Sequence, residues 1–482
     1  MTQIDSWIAG KKVLLLGFGR EGQSTYRLLQ KSGRYKELAI ADQAAKKAWL
    51  SDPDIRWFTG PDYQKCMDDY DVVFKSPGIV LERPFKSYQC QIISQTEVFF
   101  SLFRDQIIGI TGTKGKSTTT SLLYHILKAA GRKTVIAGNI GIPAFDHMDE
   151  IDEDTVVVFE LSCHQLEYMT VSPHVGILLN IHEEHLDHYG SMEKYIEAKQ
   201  HIYTNQKEED VLVCSRQCLP EPGTCRARVI EAADLGMDEA DDSELDEVPA
   251  VGAVCRESGT KGAESAQESD KLLTLTGSTI SWKGNHYQIP ADQIHLLGHH
   301  NAFDIAIVYA VCMILGLSEE EFTAGLLTFE PLPHRLHYVA VKNGVTYYDD
   351  SISTICDTTI QALNTLTDAG TVLIGGMDRG IDYTELIEYL AESPVPHIIL
   401  MEATGRRIFQ EIQERYPNFQ GKERLVLTDH LDAAVEMAKK LTAPGHSCVL
   451  SPAAASYGIF KNFEERGDAF CTLVCGETEG EI

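Results

Sequence analysis

A glycine-rich stretch, GITGTKGKSTTT, places the strongest constraint on how this chain can fold. An apolar run precedes it and the amphipathic run SLLYHILKAAG follows it, so the pattern predicts a strand, a tight turn and a helix. Gly112 and Gly115 would let the backbone approach a polyphosphate, and Lys116 would place a positive charge beside its terminal phosphates. The stretch therefore predicts a nucleotide-binding loop, with an ordinary Gly/Ser/Thr-rich turn as the alternative.

Metal chemistry is also expected at this loop. The hydroxyl of Ser117 or Thr118 could bind Mg²⁺ at the start of the helix. The common nucleoside-triphosphatase pattern has a glycine five positions before Gly115, where this chain has Ile110. The loop is therefore shorter than the common one.

Length and charge limit the kinds of protein this can be. A chain of 482 residues is too long for one ordinary core, and its length predicts about three domains. The formal net charge of −29 argues against a nucleic-acid or anionic-membrane partner. The twelve cysteines have no paired spacing, which is typical of reduced thiols in a cytosolic protein. The start has no long apolar segment and no run of about 18 apolar residues occurs, so we expect neither export nor a membrane span.

A second glycine-rich turn lies near the start of the chain. The strand candidate KVLLL runs into GFGREG and a helical pattern, and the next strand candidate ends in Asp42. Gly17, Gly19 and Gly22 fit the dinucleotide fingerprint, and Asp42 stands where a ribose-binding acid is expected. The same turn can hold any diphosphate, Glu21 is an unfavourable neighbour for an anion, and a second nucleotide loop downstream argues against a plain dehydrogenase.

Candidate metal ligands follow two apolar strands of the central region. Glu160 ends the run TVVVFE, which suits a metal ligand or, alternatively, a helix-capping acid. The run LLNIHEEHLDHYG then contains His185 in the spacing HExH, which is not the zinc-protease spacing HExxH. By composition alone this run could be a solvated helix start. Lys199 lies on the helix predicted to follow.

From about 213 to 290 the regular pattern lapses. Residues 231–247 contain nine acids and no base, which predicts a solvated loop. The run KLLTLTGSTISWKGNHYQIP predicts two strands across a Gly-Asn turn. Neither stretch suggests chemistry.

Several of these stretches resemble the Mur ligase family, the cytoplasmic amide-forming enzymes of peptidoglycan synthesis. TGTKGKST resembles their ATP loop, which folylpolyglutamate synthase shares, and ELSCHQLE, LNIHEEHLDHYGS and YIEAKQHIY resemble most closely the members that add glutamate to UDP-N-acetylmuramoyl-L-alanine. The resemblance covers nearly all of the chain except 213–290. It implies an α/β protein of three domains, which are a Rossmann-like UDP-substrate domain (1–103), a P-loop ATPase-like central domain (104–333, with an acidic insertion near 213–290) and a Rossmann-like amino-acid-binding domain (334–482).

The resemblance also implies a reaction and the residues that perform it. The substrate carboxylate would take the γ-phosphoryl group of ATP, and the amine of glutamate would attack the acyl phosphate. The implied ATP residues are Gly112, Thr113, Lys114, Gly115, Lys116, Ser117, Thr118, Asn301, Arg335 and Asp350. The implied ligands of two Mg²⁺ ions are Ser117, Glu160, His185 and Lys199, the last as a CO₂-derived carbamate or, alternatively, as a plain lysine. The implied UDP-substrate residues are Gly19, Arg20, Glu21, Gly22, Asp42, Ser76, Asn139 and Ser162, and the implied glutamate residues are Thr354, Arg379, Ser456 and Phe463. The implied catalytic residues are Lys116, His185, Lys199 and Arg335.

Two departures from the family pattern lie in the glutamate region. Ile352 stands where DSKAT has a lysine, and Arg379 stands where a lysine usually follows the glycine pair. Because arginine binds carboxylates through a planar fork and lysine binds as a point charge, the choice between D- and L-glutamate stays open. An oxidoreductase, a folylpolyglutamate-synthase-like ligase and a non-catalytic nucleotide-binding protein are the other hypotheses. We expect a cytoplasmic monomer whose partners are small molecules.

Overall fold

Three sheets built mainly from parallel strands form the framework of the protein. They are seen in a computed structural model that describes residues 4–44, 55–140, 142–236, 270–416, 419 and 421–476. The chain divides into two compact units, one of Met1–Gln293 with His300–Phe329 and one of Ile294–His299 with Glu330–Ile482. The α/β class predicted from the sequence is confirmed, while the three domain limits stay a prediction.

The first sheet has five parallel strands in the order β3-β2-β1-β4-β5. The strands are β1 (Lys12–Leu16), β2 (Glu37–Asp42), β3 (Arg56–Thr59), β4 (Val72–Lys75) and β5 (Gln91–Ile93). Its helices are Asp5–Ile8, Arg20–Ser32 and Gln95–Phe103. The last four residues of β1 are fully buried, as expected for a strand whose two faces are both covered.

The second sheet has nine strands in the order β14-β13-β12-β11-β10-β9-β6-β8-β7. The strands are β6 (Ile107–Thr111), β7 (Thr134–Gly138), β8 (Val156–Glu160), β9 (Val175–Leu178), β10 (Val211–Ser215), β11 (Arg228–Asp234), β12 (Leu272–Thr276), β13 (Thr279–Trp282) and β14 (Asn285–Gln288). The helices of this part are Lys116–Ala129, Cys163–Leu166, Leu186–Tyr189, Met192–Gln200, His299–Ile314 and Glu319–Leu327. Pairing is parallel from β7 to β12, so the carboxyl ends of β6, β8 and β9 lie at one edge.

Two predictions for the segment 213–290 need correction. Residues 231–234, assigned to a solvated loop, complete β11 because they pair with β10 and β12. The run predicted to form two strands forms three, and its second turn consists of Lys283 and Gly284. Both turn residues have positive φ, which fits the twist of a two-residue hairpin. Residues 237–247 of the acidic run lie outside the described residues.

The first two sheets share one apolar core. Phe99 and Phe100, on the helix that leaves the first sheet, place their rings 5.8 Å and 5.0 Å from the ring of Phe159 in β8. The ring centre of Phe74 in β4 likewise lies 6.4 Å from that of Phe145, which follows β7 of the second sheet. Continuous packing explains why both sheets belong to one compact unit.

The second unit contains a six-stranded sheet in the order β15-β16-β20-β17-β18-β19. The strands are β15 (His337–Lys342), β16 (Val345–Asp349), β17 (Ala369–Gly375), β18 (His397–Met401), β19 (Leu425–Thr428) and β20 (Ser447–Leu450). The helices are Cys356–Thr365, Thr384–Glu392, Glu402–Arg415, Leu431–Leu441 and Phe463–Cys475. Only β15 is antiparallel, so the carboxyl ends of β16, β17 and β20 form one edge where a ligand can bind.

Two expectations drawn from composition can be compared with the described residues. None of their helices combines the length and the apolar composition that crossing a membrane requires. Every cysteine in the described ranges is a free thiol, in agreement with the expectation of reduced cysteines.

Candidate active site

The predicted nucleotide loop joins the end of β6 to the helix Lys116–Ala129. Gly115 has φ +79°, a left-handed conformation that glycine adopts without strain. A Cβ atom there would lie 2.9 Å from Oδ2 of Asp304, and a Cβ atom at Gly112 would lie 2.9 Å from the Cβ of Leu179. Both positions therefore require glycine, and the helix that follows directs its first backbone N–H groups toward a site suited to phosphate.

Asn180, which follows β9, fixes the conformation of this loop. Its Oδ1 accepts hydrogen bonds from the backbone N–H groups of Thr113 (3.1 Å) and Lys114 (2.8 Å). Its Nδ2 donates to the carbonyl of Lys114 (3.3 Å). Asn180 is absent from the residues predicted for the site, although its position directly after a buried strand was an available signal.

Two lysines meet at a single carbonyl of the loop. Lys116 Nζ donates to the carbonyl oxygens of Gly112 (3.0 Å) and Thr113 (2.9 Å), and Lys199 Nζ donates to Gly112 over 2.7 Å. Lys199 is 1% exposed, and its ammonium lies 4.9 Å from the centre of the Tyr195 ring. Burial, and then the charge of Lys116, lowers the pKa of Lys199 to about 8. A neutral amine is therefore accessible to Lys199 near neutral pH.

Glu160 offers a carboxylate oxygen that nothing in the described residues satisfies. Its side chain is fully buried, and its Oε1 accepts a hydrogen bond from Asn139 Nδ2 (2.7 Å). Its Oε2 is buried without a partner, which is costly unless a cation or a proton meets it. Because Glu160 pairs in register with Ile110 of β6, this oxygen lies at the strand edge from which the nucleotide loop starts. Both features fit a divalent cation beside the loop.

His185 stands on the neighbouring segment in a left-handed conformation, with φ +57°. Its ring centre lies 5.1 Å from that of His164 and 6.2 Å from that of Tyr195. The hydroxyl of Tyr195 is 3.0 Å from Thr113 Oγ1, which connects this group to the nucleotide loop. Burial, followed by repulsion from His188 and His185, lowers the pKa of His164 to about 4. His164 is therefore suited to act as a neutral nitrogen donor.

Three other predicted nucleotide residues lie at helix starts. Ser117 and Thr118 occupy the first turn after Lys116, and Thr118 is buried. Asn301 lies in the first turn of the helix His299–Ile314, three residues before Asp304. Because the Asp304 carboxylate borders the loop, the structure brings this helix start to the nucleotide site.

The glycine turn of the first sheet is closed by residues predicted for the UDP-linked substrate. Asp42 Oδ2 accepts a hydrogen bond from the backbone of the turn (2.6 Å), and Ser76 Oγ donates to the carbonyl of Gly17 (3.3 Å). Gly19 directly precedes the helix Arg20–Ser32, and a Cβ atom at Gly22 would lie 2.2 Å from Gly17 O. Asp42 therefore stabilises the turn itself.

A cavity of about 130 Å³ brings together four predicted UDP-substrate residues, which are Arg20, Glu21, Asn139 and Ser162. Gln165, which was not predicted, lines the same cavity and donates to Glu21 Oε1 (2.9 Å). Burial raises the pKa of Glu21 to about 7, and no group among the described residues hydrogen-bonds to its Oε2. When Glu21 is protonated, its carboxyl group can donate a hydrogen bond to an anion, so its raised pKa weakens the objection that a negative charge would repel the substrate.

Lys75 supplies a buried cation next to these residues. It is 6% exposed, and its Nζ donates to the carbonyls of Ser76 (3.4 Å) and Pro77 (3.2 Å). Burial lowers the pKa of Lys75, against the opposing effect of Glu167 and Glu21. Lys75 is absent from the predicted set, and in so acidic a chain it is a local positive group suited to an anionic substrate.

The second unit groups the residues predicted for glutamate at one edge of its sheet. Arg379 Nη2 donates to the carbonyl of Thr354 (2.7 Å). Ser456 follows Ala455, whose carbonyl accepts a hydrogen bond from Met377 N (2.8 Å) in the loop that carries Arg379. These residues lie on loops that follow β16, β17 and β20, as ligand-binding residues of parallel sheets do.

Three further predicted site residues of this unit, Phe463, Asp350 and Arg335, lie near the loop that follows β16. Ser351 Oγ donates to the carbonyl of Phe463 (3.0 Å), which places Phe463 beside the loop of Thr354. Asp350 is buried, and its oxygens accept from Ser451 Oγ (2.7 Å) and from the backbone N–H that follows Arg335 (3.0 Å). Burial raises the pKa of Asp350 to about 6. The nucleotide contacts of Asp350 and Arg335 stay predictions.

The glycine loop, its two lysines and the partnerless carboxylate of Glu160 define a nucleotide-dependent α/β enzyme. The family model of the Mur ligase middle domain matches residues 110–312. A UDP-N-acetylmuramoylalanine--D-glutamate ligase from Geotalea uraniireducens (strain Rf4) is 31% identical over 487 residues, covering 98% of this chain and 99% of that protein. The chain therefore belongs to the Mur ligase family.

Solved structures of other Mur ligases share the fold. UDP-N-acetylmuramate-alanine ligase MurC from Thermotoga maritima has a TM-score of 0.54 at 17% identity, covering 97% of this chain and 100% of that one. MurF ligase from Thermotoga maritima, solved in complex with ADP, has a TM-score of 0.53 at 15% identity, covering 99% of this chain and 98% of that one. At these identities the likeness concerns the fold alone.

Proposed function

We propose that this chain joins D-glutamate to UDP-N-acetylmuramoyl-L-alanine at the expense of ATP, as a cytoplasmic step of peptidoglycan precursor synthesis. The observation that supports it best is the meeting of Lys116 and Lys199 at the Gly112 carbonyl, beside the strand that ends in Glu160. The near-complete coverage of a relative that carries this activity in its name supports the choice of substrates.

In the proposed reaction the substrate carboxylate attacks the γ-phosphorus of ATP, and the bond from phosphorus to the ADP oxygen breaks. The amine of glutamate then attacks the carbonyl carbon of the acyl phosphate. The new C–N bond replaces the C–O bond, inorganic phosphate leaves, and the nitrogen loses a proton. Lys116 would stabilise the negative charge that spreads over the phosphoryl oxygens during transfer.

Two Mg²⁺ ions would be held by Ser117, Glu160, His185 and Lys199. When bound, they would neutralise phosphate charge and polarise the phosphoryl group. The partnerless Oε2 of Glu160 supports this assignment, because a divalent cation would satisfy a buried carboxylate oxygen.

Lys199 could act as a metal ligand only after its ammonium group had lost its positive charge. We propose that its neutral amine adds to CO₂, so that an N–C bond forms, one proton leaves to solvent and a carbamate oxygen becomes available. Burial beside the Tyr195 ring and the nearby charge of Lys116 favour the neutral amine that this addition requires.

For the UDP-linked substrate we propose binding at the cavity between the glycine turn and the end of β7. Arg20 lines this cavity and supplies positive charge, and Lys75 lies close enough to Glu21 to lower its pKa. Glu21 supplies a carboxyl group that can be protonated near neutral pH. The further residues proposed for this substrate are Gly19, Gly22, Asp42, Ser76, Asn139 and Ser162.

For glutamate we propose Thr354, Arg379, Ser456 and Phe463 of the second unit. A dicarboxylate needs a cation and hydrogen-bond donors, while its amine stays available for attack. The hydrogen bond from Arg379 to Thr354 supports a shared role for these two residues.

The test is release of phosphate from Mg-ATP with UDP-N-acetylmuramoyl-L-alanine and either D-glutamate, L-glutamate or no amino acid. We expect release with D-glutamate only, abolished by Lys116→Ala and kept by Lys128→Ala, an exposed lysine of the same helix. Release with L-glutamate instead would show that Ile352 and Arg379 mark a reshaped pocket. No release with either would overturn the proposed function. Light scattering checks the expected monomer.

A further inference from the structure

Three side chains beside the proposed active site form a group whose combined chemistry differs from that of a magnesium site. Cys163, His164 and His185 each offer one ligand atom, and these three atoms all lie within 4.8 Å of one another. Cys163 is 3% exposed, whereas the His185 side chain is 43% exposed. A buried thiol therefore faces a histidine that solvent ions can reach.

The donor set of this group selects for a soft metal ion. Mg²⁺ prefers oxygen ligands, whereas thiolate with imidazole nitrogen suits Zn²⁺. In a tetrahedral zinc site, Zn–S bonds of about 2.3 Å and Zn–N bonds of about 2.0–2.1 Å put the ligand atoms about 3.3–3.6 Å apart. The three atoms would therefore close on an ion through shifts of roughly 1 Å.

Neighbouring contacts hold two of the three donors in place. Ser162 Oγ accepts a hydrogen bond from Gln165 N (3.2 Å), which caps the short helix that presents Cys163 and His164. The ring of His164 stacks on that of Tyr189 at an interplanar angle of 5°. Only the exposed His185 would need to move appreciably, and water would complete the coordination.

We propose that Cys163, His164 and His185 form a Zn²⁺ site whose occupation withdraws His185 from catalysis and so inhibits the ligase. On coordination the Cys163 thiol loses its proton to solvent, and the thiolate binds the ion. Binding of zinc depends only on the geometry described above. Inhibition rests on the proposed function, because it assumes that His185 serves the reaction.

Metal binding is tested on the whole chain, stripped of metal and titrated with Co²⁺ alone as a spectroscopic probe for zinc. We expect one equivalent to bind, with a thiolate-to-cobalt charge-transfer band and the strong visible bands of a tetrahedral site, and Zn²⁺ to displace it. Cys163→Ser should remove the charge-transfer band. His164→Phe, which keeps an aromatic ring against Tyr189, should weaken Co²⁺ binding at least tenfold. Circular dichroism verifies that both variants fold.

Cys225→Ser is the matched control, because Cys225 belongs to a separate cysteine group in the same unit. The proposed site requires the Co²⁺ spectrum to survive this substitution unchanged. A charge-transfer band that persists in Cys163→Ser and disappears in Cys225→Ser would assign the metal to that other group and overturn the proposal. Absence of any thiolate band in the unmodified chain would overturn it as well.

Inhibition is measured by phosphate release at fixed Mg-ATP with increasing free Zn²⁺. His164→Phe should need at least tenfold more Zn²⁺ than the unmodified chain to halve its own rate. Equal sensitivity of the two proteins, with cobalt binding intact, would overturn the inhibitory role. A chain that binds Co²⁺ as described but releases no phosphate without zinc would overturn the proposed function and leave the metal site standing.

Discussion

Lys116 and Lys199 donate hydrogen bonds to the same acceptor, the carbonyl oxygen of Gly112, over 3.0 Å and 2.7 Å. Lys116 opens the helix after the nucleotide loop, whereas Lys199 comes from the helix Met192–Gln200. Two ammonium groups so close repel each other, and the lowered pKa of Lys199 relieves that repulsion. The amine of Lys199 can therefore lose its proton near neutral pH while it stays hydrogen-bonded beside Lys116.

Replacing Lys199 should lower kcat far more than it weakens ATP binding. Lys199→Ala removes a group proposed to act on the metal side of phosphoryl transfer, so we expect a loss of about 10²–10³-fold in kcat. Steady-state kinetics with Lys194→Ala as control, an exposed lysine of the same helix, measures this effect. Wild-type kcat in Lys199→Ala would refute the role of the amine, and partial rescue by added short carboxylates would support the carbamate.

Removing the side chain of Asn180 should loosen the nucleotide loop. Asn180→Ala leaves the N–H groups of Thr113 and Lys114 without their acceptor, which costs roughly 1–3 kcal/mol, or about 5–150-fold in kcat/KM for ATP. Asn180→Asp keeps the acceptor but adds a negative charge, so it should raise the KM for ATP. The exposed Asn205 provides the control substitution, and unchanged kinetics in Asn180→Ala would show that the loop holds its shape without this contact.

The raised pKa of Glu21 predicts a pH-dependent stability of the first unit. The folded protein binds the Glu21 proton more tightly than the unfolded chain does. The pKa of Glu21 rises from its normal value of 4.5 to about 7 on folding. The protonated Glu21 therefore contributes fully to the free energy of unfolding below pH 4.5, and this contribution is lost as the pH rises through 7. The free energy of unfolding falls by at most about 1.4 kcal/mol per pH unit in this window. Thermal unfolding at several pH values should show Glu21→Gln with a smaller decline over this window. Identical profiles for the two proteins would contradict the assignment.

Truncating Phe100 should destabilise the core that joins the first two sheets. Its ring is fully buried against Phe159, so Phe100→Ala should cost about 3–5 kcal/mol through lost burial and the cavity left behind. Denaturant unfolding of the variant measures the cost. Val80→Ala, at a position 58% exposed in the same unit, should stay within about 0.5 kcal/mol. A similarly small cost for Phe100→Ala would mean that the two sheets do not depend on this contact.

Replacing Arg379 should raise the KM for glutamate and leave the KM for ATP unchanged. Arg379→Ala removes a charged donor proposed for a substrate carboxylate, a loss of about 1.5–3 kcal/mol, or roughly 10–100-fold in the KM for glutamate. The KM for ATP should stay within error of the unmodified enzyme. Arg406→Ala, an exposed arginine paired with Asp429, is the control. Equal increases in both KM values would point to a structural effect instead.

Local patterns predicted the strands and helices near the site well. β1, β2 and β8 end where the apolar runs of the sequence end, at Leu16, Asp42 and Glu160. The errors fell between 213 and 290, where acidic composition suggested a loop over residues that β10 and β12 hold in a strand. Pairing with neighbours, which a single sequence does not display, outweighed the low strand propensity of acidic residues there.

The order of glycine, lysine and hydroxyl residues was enough to predict a strand, a tight turn and a helix, because this short-range geometry depends on adjacent residues. Only the tertiary structure decided which distant groups reach that loop. Asn180, Tyr195 and Lys199 reach it because β9 lies beside β6 in the sheet. Lys75 meets Glu21 because β4 pairs with β1, and Glu21 lies in the first turn of the helix that follows β1. Contacts of this kind depend on strand order and burial over the whole unit, and these properties are not encoded in any single stretch of the chain.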